Sequence, residues 1–497
     1  MKIFAILVLC EKTKYLECFI NAGLCDNKLP LEFNAITGKP FGCTSAEAQC
    51  FDKWKPAAAD AFAKAQYELL VPYFGLPYSR NGVKPIIRHA KYRTEAIFPW
   101  IDLEKRCEGG FGEITCIRIH SASHGFHNVE QVQAANFELA LKHMKSDDIT
   151  NFENESKMLK LFSNHHEHIV KLLMSFSVAD QNYLLFPWAG YDLGNYWENN
   201  NAPFDLTTNT MDRPKMQWLS AQILGLVSAV HTLHNPPHLD SLSPEAKKYA
   251  RHGDIKPQNV LWFKTSSRPE GIFVIGDLGI ASVHRLISRS NIPNHALPCS
   301  PDYRPPECDQ EGGIISRAYD IWTLGCLLLE MICWALGGEK LRKEFEDSRM
   351  LVTYIGVMSN IFFDVKRALD GSAAILVKEV VIEQMEKLHE HEGCTEYFHD
   401  LLDIIHDSMI VVLSKTTERI RSKELHANIQ ILNGRMTNPA YGVVPKPRKR
   451  KYSAPIAVKT ELNDFGKSRF EKFHAKLEPY DARAEEAKTA YEMRRMD

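Results

Sequence analysis

Two short stretches hold residues whose types and spacing could do chemistry: Arg251–Phe263, RHGDIKPQNVLWF, and Val274–Ser282, VIGDLGIAS. The first offers a carboxylate at Asp254, a cation two residues on at Lys256 and an amide five residues on at Asn259; the second adds Asp277, followed closely by Gly279. Moving a γ-phosphoryl group from Mg-ATP asks for positioning and charge neutralisation more than covalent help. It needs a carboxylate near the acceptor hydroxyl and hard oxygen ligands for Mg2+. Asp254 fits the first need, and the Asn259 amide oxygen with the Asp277 carboxylate fits the second. Lys256 would then face the transferring phosphate.

These groups require a rigid mount. Val260, Leu261 and Trp262 beside Asn259, and Ile272–Ile275 before Asp277, read as two short strands of one hairpin. A buried hairpin with a solvated Asp in its loop could carry HxDxxxxN alone, but the paired DLG argues against that. Upstream, Leu219, Ile223, Leu226, Val230 and Leu233 recur at spacings of three and four, which predicts a helix over Gln217–Leu233. Between it and the loop, His238–Tyr249 reads as a polar surface insertion.

On these motifs the chain resembles a protein kinase. The resemblance implies an α+β, two-lobed protein kinase fold, with a small β-rich N-lobe and a larger helical C-lobe, using ATP and Mg2+. It extends over about residues 98–435. Leu103–Ile119 reads as two strands around CEGGFGEI, where Gly109 and Gly112 would let the backbone approach phosphates; Cys107 stands where the family usually has glycine. In FELALK, Lys142 takes the place of the lysine that holds the α/β-phosphates. Its helix partner would be Glu155, which shares a face with Leu159 in ENESKMLKLF. Asn182–Ala189 resembles the strand and hinge bordering the adenine pocket, with Phe186 at the back and Trp188 and Ala189 at the hinge. Ile114, Ala140 and Leu261 would sandwich the purine, although packing alone accounts for these three as well.

Further motifs separate a protein kinase from small-molecule phosphotransferases, which share HGDxxxxN. CSPDYRPPE resembles the segment closing the substrate groove, with Ser300 in the position of the usual Thr and Glu307 at its end. YDIWTLGCLLLEM matches the helix that anchors the catalytic loop, with Asp320, Trp322 and Gly325 in register. Arg419 falls where the family pairs an arginine with that glutamate, so a Glu307–Arg419 salt bridge is expected. Lys256 is the Ser/Thr-type choice, which implies protein substrates phosphorylated on Ser or Thr. Gly253 replaces an arginine that would pair with an activation-segment phosphate, so activity is expected not to need phosphorylation of Ser282, Ser288 or Ser290. A pseudokinase scaffold is the alternative suggested by Cys107, Gly253 and Leu278. RHGDIKPQNVLWF is most similar to the catalytic loop of a group of filamentous-fungal kinase-domain proteins.

Length and composition frame the rest. A chain of 497 residues exceeds one compact core, and three regions are expected: a helical extension over 1–95, the kinase domain over 96–435 (N-lobe 96–186, C-lobe 190–435), and a basic linker with a charged helical tail over 436–497. Net charge −2 gives no global field pointing to nucleic acid. In the first region Ile3–Cys10 and Tyr15–Ala22 read as a helical pair and Phe51–Leu70 as an amphipathic helix. Twelve cysteines without a CxxC pair suggest neither a zinc site nor disulfides, and hence a reducing, cytoplasmic setting. The apolar start MKIFAILVLC is short, is followed by charges and has no cleavage site, which argues against export. No membrane span is expected. Pro445–Lys451, PKPRKRK, holds five basic residues and reads as a solvated linker, with nuclear import as the alternative. Residues 1–95 and the charged tail, with helices over Arg469–Leu477 and Asp481–Met496, are the places where a partner could dock.

Overall fold

A computed structural model describes residues 1–34, 39–75, 87, 89–109, 112–144, 149–162, 165–205, 207–236, 248–278, 282–285, 302–352, 358–367 and 373–463. The chain divides into two compact units, Met1–Ile149 with Leu172–Trp188, and Thr150–Lys171 with Ala189–Asp497.

The first unit is built on a six-stranded sheet. Its strands β1 (His89–Tyr92), β2 (Trp100–Gly109), β3 (Gly112–Ile119), β4 (Glu138–Met144), β5 (Met174–Val178) and β6 (Gln181–Pro187) lie in the order β1-β5-β6-β4-β3-β2. Side chains alternate along a strand, so ELALKHM in β4 divides between two faces. Leu139 and Leu141 enter the core with Ile117, Ile119, Phe176 and Leu185. Ala140 and Lys142 take the other face. The register sets Ile114 opposite Lys142 and Phe186 opposite Ala140. Residues directly opposite share a face, and four of the expected nucleotide-binding side chains therefore line one side of the sheet.

Ahead of the sheet, helices Lys2–Leu9, Leu16–Asn21 and Pro56–Leu69 surround their own cluster of Ile3, Ile6, Leu7, Phe19, Phe51 and Phe62. Pro56 opens the last helix, where its missing N–H leaves no internal bond unmade. Phe51 and Trp54 precede that helix instead of lying on it. A further short helix, Ser45–Gln49, is fixed by a reciprocal capping box between Thr44 and Glu47. Cys18 and Cys50 form a disulfide, correcting the expectation of unpaired cysteines. Their sequence separation of 32 carries no motif, and only the packing of these helices brings the two sulfurs together.

In the second unit the helix Arg213–His234 begins with Asp212, whose side chain accepts the Lys215 N–H, and it buries Leu219, Ile223, Leu226, Val230 and Leu233. The helix Ala318–Ser348 is long and apolar enough to cross a membrane by length and composition, but most of its apolar stretch is buried within this unit. It is a core helix of this unit, and among the described residues no other helix is long and apolar enough to cross a membrane. At Gly338 a φ of +67° interrupts its helical path, a conformation that glycine adopts without steric cost. Val260–Phe263 and Ile272–Ile275 form the expected antiparallel pair, and Tyr191–Asp192 joins as a third strand.

From Asn433 to Asn463 the chain stays on this unit. Pro445 bridges to Thr395, the Lys446 and Arg448 N–H groups donate to the carbonyls of Cys394 and His389, and Val458–Thr460 adds a strand to Ala373–Val377. The helices expected over Arg469–Leu477 and Asp481–Met496, and nearly all of the His238–Tyr249 insertion, lie outside the described residues.

Candidate functional site

The site is best assembled from the buried carboxylate outward. Asp320, near the start of the helix Ala318–Ser348, accepts the N–H groups of His252 and Gly253 at 2.8 Å each, and Nε2–H of His234 at 2.8 Å. Burial works against its charge, but the hydrogen bonds from His234 and the Gly253 N–H outweigh it and hold the carboxyl below the usual carboxylate range. One ionised group thereby fixes two consecutive amides of the loop that carries Asp254. Gly253 sits at φ +85°, in the left-handed region where an arginine would be strained. The residue that replaces the expected arginine is thus the one this backbone favours.

His252 completes the mount. Its Nδ1 accepts the Asp254 N–H at 3.2 Å, so Nε2 carries the proton and donates to the Gly276 carbonyl at 2.8 Å. The Gly276 N–H donates in turn to the Asn259 carbonyl. The catalytic-type loop and the turn holding Asp277 are therefore bolted together, and Asp277 adopts φ +51°. Strain of this kind at a non-glycine residue persists only where surrounding contacts over-determine the backbone.

Within this frame the polar groups converge. Asn259 Nδ2 donates to both the backbone carbonyl and Oδ2 of Asp254, at 2.8 Å each, and Lys256 Nζ reaches the same Oδ2 at 2.9 Å. Asp254 is 4% exposed, yet its Oδ1 is buried with no hydrogen-bond partner among the described residues. A buried carboxylate oxygen left unmet by the described residues is costly, and such an atom can accept from a further donor, a substrate hydroxyl among them. Since Asn259 uses its NH2 on Asp254, its amide oxygen is the atom left for another role. That oxygen and the Asp277 carboxylate are a hard-oxygen donor set, which suits Mg2+.

The remaining sequence-derived residues fall as follows. Lys142 is buried on β4 of the first unit, and Glu155 is buried on the helix Ile149–Phe162 of the second. Gly109 and Gly112 pair at the facing ends of β2 and β3. Trp188 and Ala189 follow β6 and are half-buried, as is Leu261 on its strand between Asp192 and Val274. Gly279 and Ser300 lie outside the described residues, as do Ser288 and Ser290. Glu307 and Arg419, 112 residues apart in sequence, meet in a buried bidentate pair at 2.6 and 2.9 Å. The Arg419 guanidinium also lies over the Trp322 ring at 4.8 Å and donates to the carbonyls of Val411 and Ala318. Two positioning residues were missed from sequence, His252 and His234. The HGD triplet itself was the available signal for the first; nothing local marks the second.

Comparison with known proteins adds an independent line. Residues 121–387, just over half of the chain, match the protein kinase domain family. The match starts after the Gly109–Gly112 hairpin and ends before Arg419. Among curated proteins, the chain is 26% identical over 226 residues to the serine/threonine-protein kinase Nek8 of Danio rerio, covering 45% of this chain and 27% of that protein. It is 28% identical over 183 residues to a probable cyclin-dependent kinase 8 of Dictyostelium discoideum, covering 36% and 41%. It is also 26% identical over 245 residues to the human serine/threonine-protein kinase 16, covering 47% and 69%. The chain spans between about a quarter and two-fifths of the length of the first relatives it matches.

Proposed function

The chain belongs to the protein kinase domain family, and on that premise we propose that it is an active Ser/Thr protein kinase, transferring the γ-phosphate of Mg-ATP to protein hydroxyls. The observation that carries this reading is the unmet Oδ1 of Asp254. In the proposed reaction that oxygen accepts the hydrogen bond, and then the proton, of the attacking Ser or Thr hydroxyl. Asn259 and Lys256 hold the other carboxylate oxygen, so the rotamer that presents Oδ1 is fixed. Lys256 is assigned to the transferring phosphate, exchanging its contact with Asp254 for a phosphate oxygen when substrate is bound. Asn259 and Asp277 are the residues that would hold Mg2+, whose contribution is to neutralise charge on the phosphates.

Lys142, with Glu155 as its partner, is assigned to the α/β-phosphates, and Gly109 and Gly112 to close approach of the backbone. Ile114, Ala140, Phe186, Trp188, Ala189 and Leu261 are assigned to the adenine. What supports the first part is that Ile114, Ala140, Lys142 and Phe186 share the sheet face turned away from the core. Lys256 supports Ser/Thr over Tyr acceptors, and the Ser/Thr kinases among the relatives are consistent with it. The closer likeness of the loop to filamentous-fungal kinase-domain proteins, and a cytoplasmic location, belong to the same proposal.

The test is transfer from labelled Mg-ATP to a mixed protein substrate by the intact chain, Asp254→Asn and Lys142→Met. The expected result is label on Ser or Thr from the intact chain alone. Mg-dependent ATP binding without transfer would replace this reading with a scaffold, and transfer only to small alcohols or amines would replace it with a small-molecule phosphotransferase. Because Gly253 leaves an activation-segment phosphate with one fewer charged partner, prior phosphatase treatment is expected to leave the rate unchanged.

A further inference from the structure

The basic run Pro445–Lys451 is fastened along its length. Lys446 and Arg448 pair with Glu396 at 3.6 and 3.1 Å, and Arg450 pairs with Asp403 at 3.3 Å. Lys451 bonds Glu386 on the helix Glu379–Glu390. Glu386, with Glu390 and Glu383 of the same helix, raises the lysine above its usual pKa. The next residue, Tyr452, donates its N–H to Glu386 at 2.9 Å and its hydroxyl to Asp403 at 2.8 Å, and its ring stacks on His406 at 3.8 Å. Past the added strand Val458–Thr460, the same tail reaches the residues just after Glu307. The Glu311 N–H donates to the Glu461 carbonyl, and Asn463 bonds the Asp309 and Cys308 carbonyls. Residues 445–463 thus form a strap from acidic residues on two helices, Glu379–Glu390 and Glu396–Ile404, to the segment 308–311.

In the middle of this strap stands Ser453. It is exposed, its backbone from 453 to 457 has no regular structure, and Arg448, Lys449, Arg450 and Lys451 occupy the second to fifth positions before it. We propose that Ser453 is a phosphorylation site for a Ser/Thr kinase that reads basic residues ahead of the acceptor, and that the phosphate unlocks the strap. In the step, Ser453 Oγ bonds the γ-phosphorus of ATP, the bond from that phosphorus to the bridging oxygen breaks, ADP leaves, and the hydroxyl proton passes to the modifying kinase's base. The phosphate brings about −1.5 to −2 charges at pH 7. It stands one residue from the Tyr452 N–H contact with Glu386, on a stretch already facing three glutamates, and repels them. It also competes with Glu386 and Asp403 for Lys451 and Arg450, its nearest cations. Both effects weaken the docked state, and because the cations that recognise a modifying kinase are those paired with the body, docking in turn slows modification.

The test uses the full chain carrying Asp254→Asn, so that its own proposed activity adds no label, with cyclic-AMP-dependent protein kinase and ATP as the probe. Glu386→Gln with Asp403→Asn in the same background supplies a loosened strap. Expected are label at Ser453 by mass spectrometry, labelling at least fivefold faster in the loosened chain, and no label at that position in Ser453→Ala. After labelling, the Lys446, Arg448 and Glu311 amides should exchange hydrogen at least tenfold faster. Absence of label at Ser453 in both the parent and the loosened chain overturns the site. Label at Ser453 with unchanged amide protection overturns the unlocking.

Discussion

The loop around Asp254 and the run Pro445–Lys451 are both short and dense in charge, and both lie on the second unit, yet their charges are held in opposite ways. In the loop the carboxylates are buried: Asp320 is 0% exposed and Asp254 4%, and each is met by backbone amides or neighbouring side chains placed by two secondary-structure elements. In the run the cations stay wet, with the Lys451 side chain 79% exposed and Arg450 45%. Buried charges are expensive to hold, and an unmet carboxylate oxygen on this loop, Asp254 Oδ1, is therefore informative. Exposed pairs are individually weak and act as fasteners only in number. In the loop, burial leaves a carboxylate oxygen open to chemistry; in the run, exposed cations beside carboxylates serve attachment.

The sharpest way to break this contrast is to remove one charge from each region. Asp254→Asn keeps the shape and the Asn259 contact but removes the proton acceptor, and a positioned base contributes about 10²–10⁴ in rate. Phosphoryl transfer should fall about a thousandfold with the unfolding temperature little changed. Lys451→Ala should leave transfer within about twofold. Equal losses from the two variants would end the distinction.

Next in size is the Glu307–Arg419 pair, buried like the loop but with every oxygen engaged. Arg419→Met leaves Glu307 as an uncompensated buried charge and should cost about 3–5 kcal/mol in urea unfolding. The double variant Glu307→Leu with Arg419→Met should recover most of that loss, because removing both partners removes the desolvation cost as well. No recovery would mean that the pair also does work through the Val411 and Ala318 carbonyls that Arg419 bonds.

A smaller loss is expected at Asp320. Asp320→Asn keeps one acceptor oxygen for the loop amides and should cost about 1–3 kcal/mol at pH 7. Its sign with pH is fixed by the lowered pKa. The stabilisation is full above the unfolded carboxylate value of about 4 and is lost as pH falls through the lower folded value. The parent should therefore lose stability relative to Asp320→Asn in strong acid, and parallel unfolding curves across that range would remove Asp320 as the charged anchor.

How much of this was legible beforehand follows from the same contrast. Asp254, Lys256, Asn259 and Asp277 were readable because the hairpin mount is local: the strands Val260–Phe263 and Ile272–Ile275 are apolar runs flanking the polar residues they position. Glu307 and Arg419 were readable only through family likeness, since no spacing rule links residues so far apart. His234 was not, because its role exists only where the last residue of one long helix meets the first turn of another at Asp320. The disulfide between Cys18 and Cys50 was missed for a related reason, as the helices that align the sulfurs are set by an aromatic cluster and not by cysteine spacing. The strap was the least legible. A basic run reads as solvated from sequence, and its acidic counterparts, Glu386, Glu396 and Asp403, sit on two helices well before it, with no local spacing to link them to the run.

The smallest expected effect tests the strap's fasteners one at a time. A double-mutant cycle on Arg450→Ala and Asp403→Asn should give a coupling below about 1 kcal/mol at low salt, since exposed pairs lose most of their attraction to solvent screening. The coupling should shrink toward zero in 1 M salt, where the screening length is about 3 Å. Tyr452 behaves differently within the same few residues, because its ring stacks on His406 and its hydroxyl reaches Asp403. Tyr452→Ala should therefore loosen the Arg448 amide in hydrogen exchange more than Arg450→Ala does, and the loosening should persist in salt. If salt instead erased the effect of both, the strap would be held by charge alone, and the anchor assigned to Tyr452 would belong to its charged neighbours.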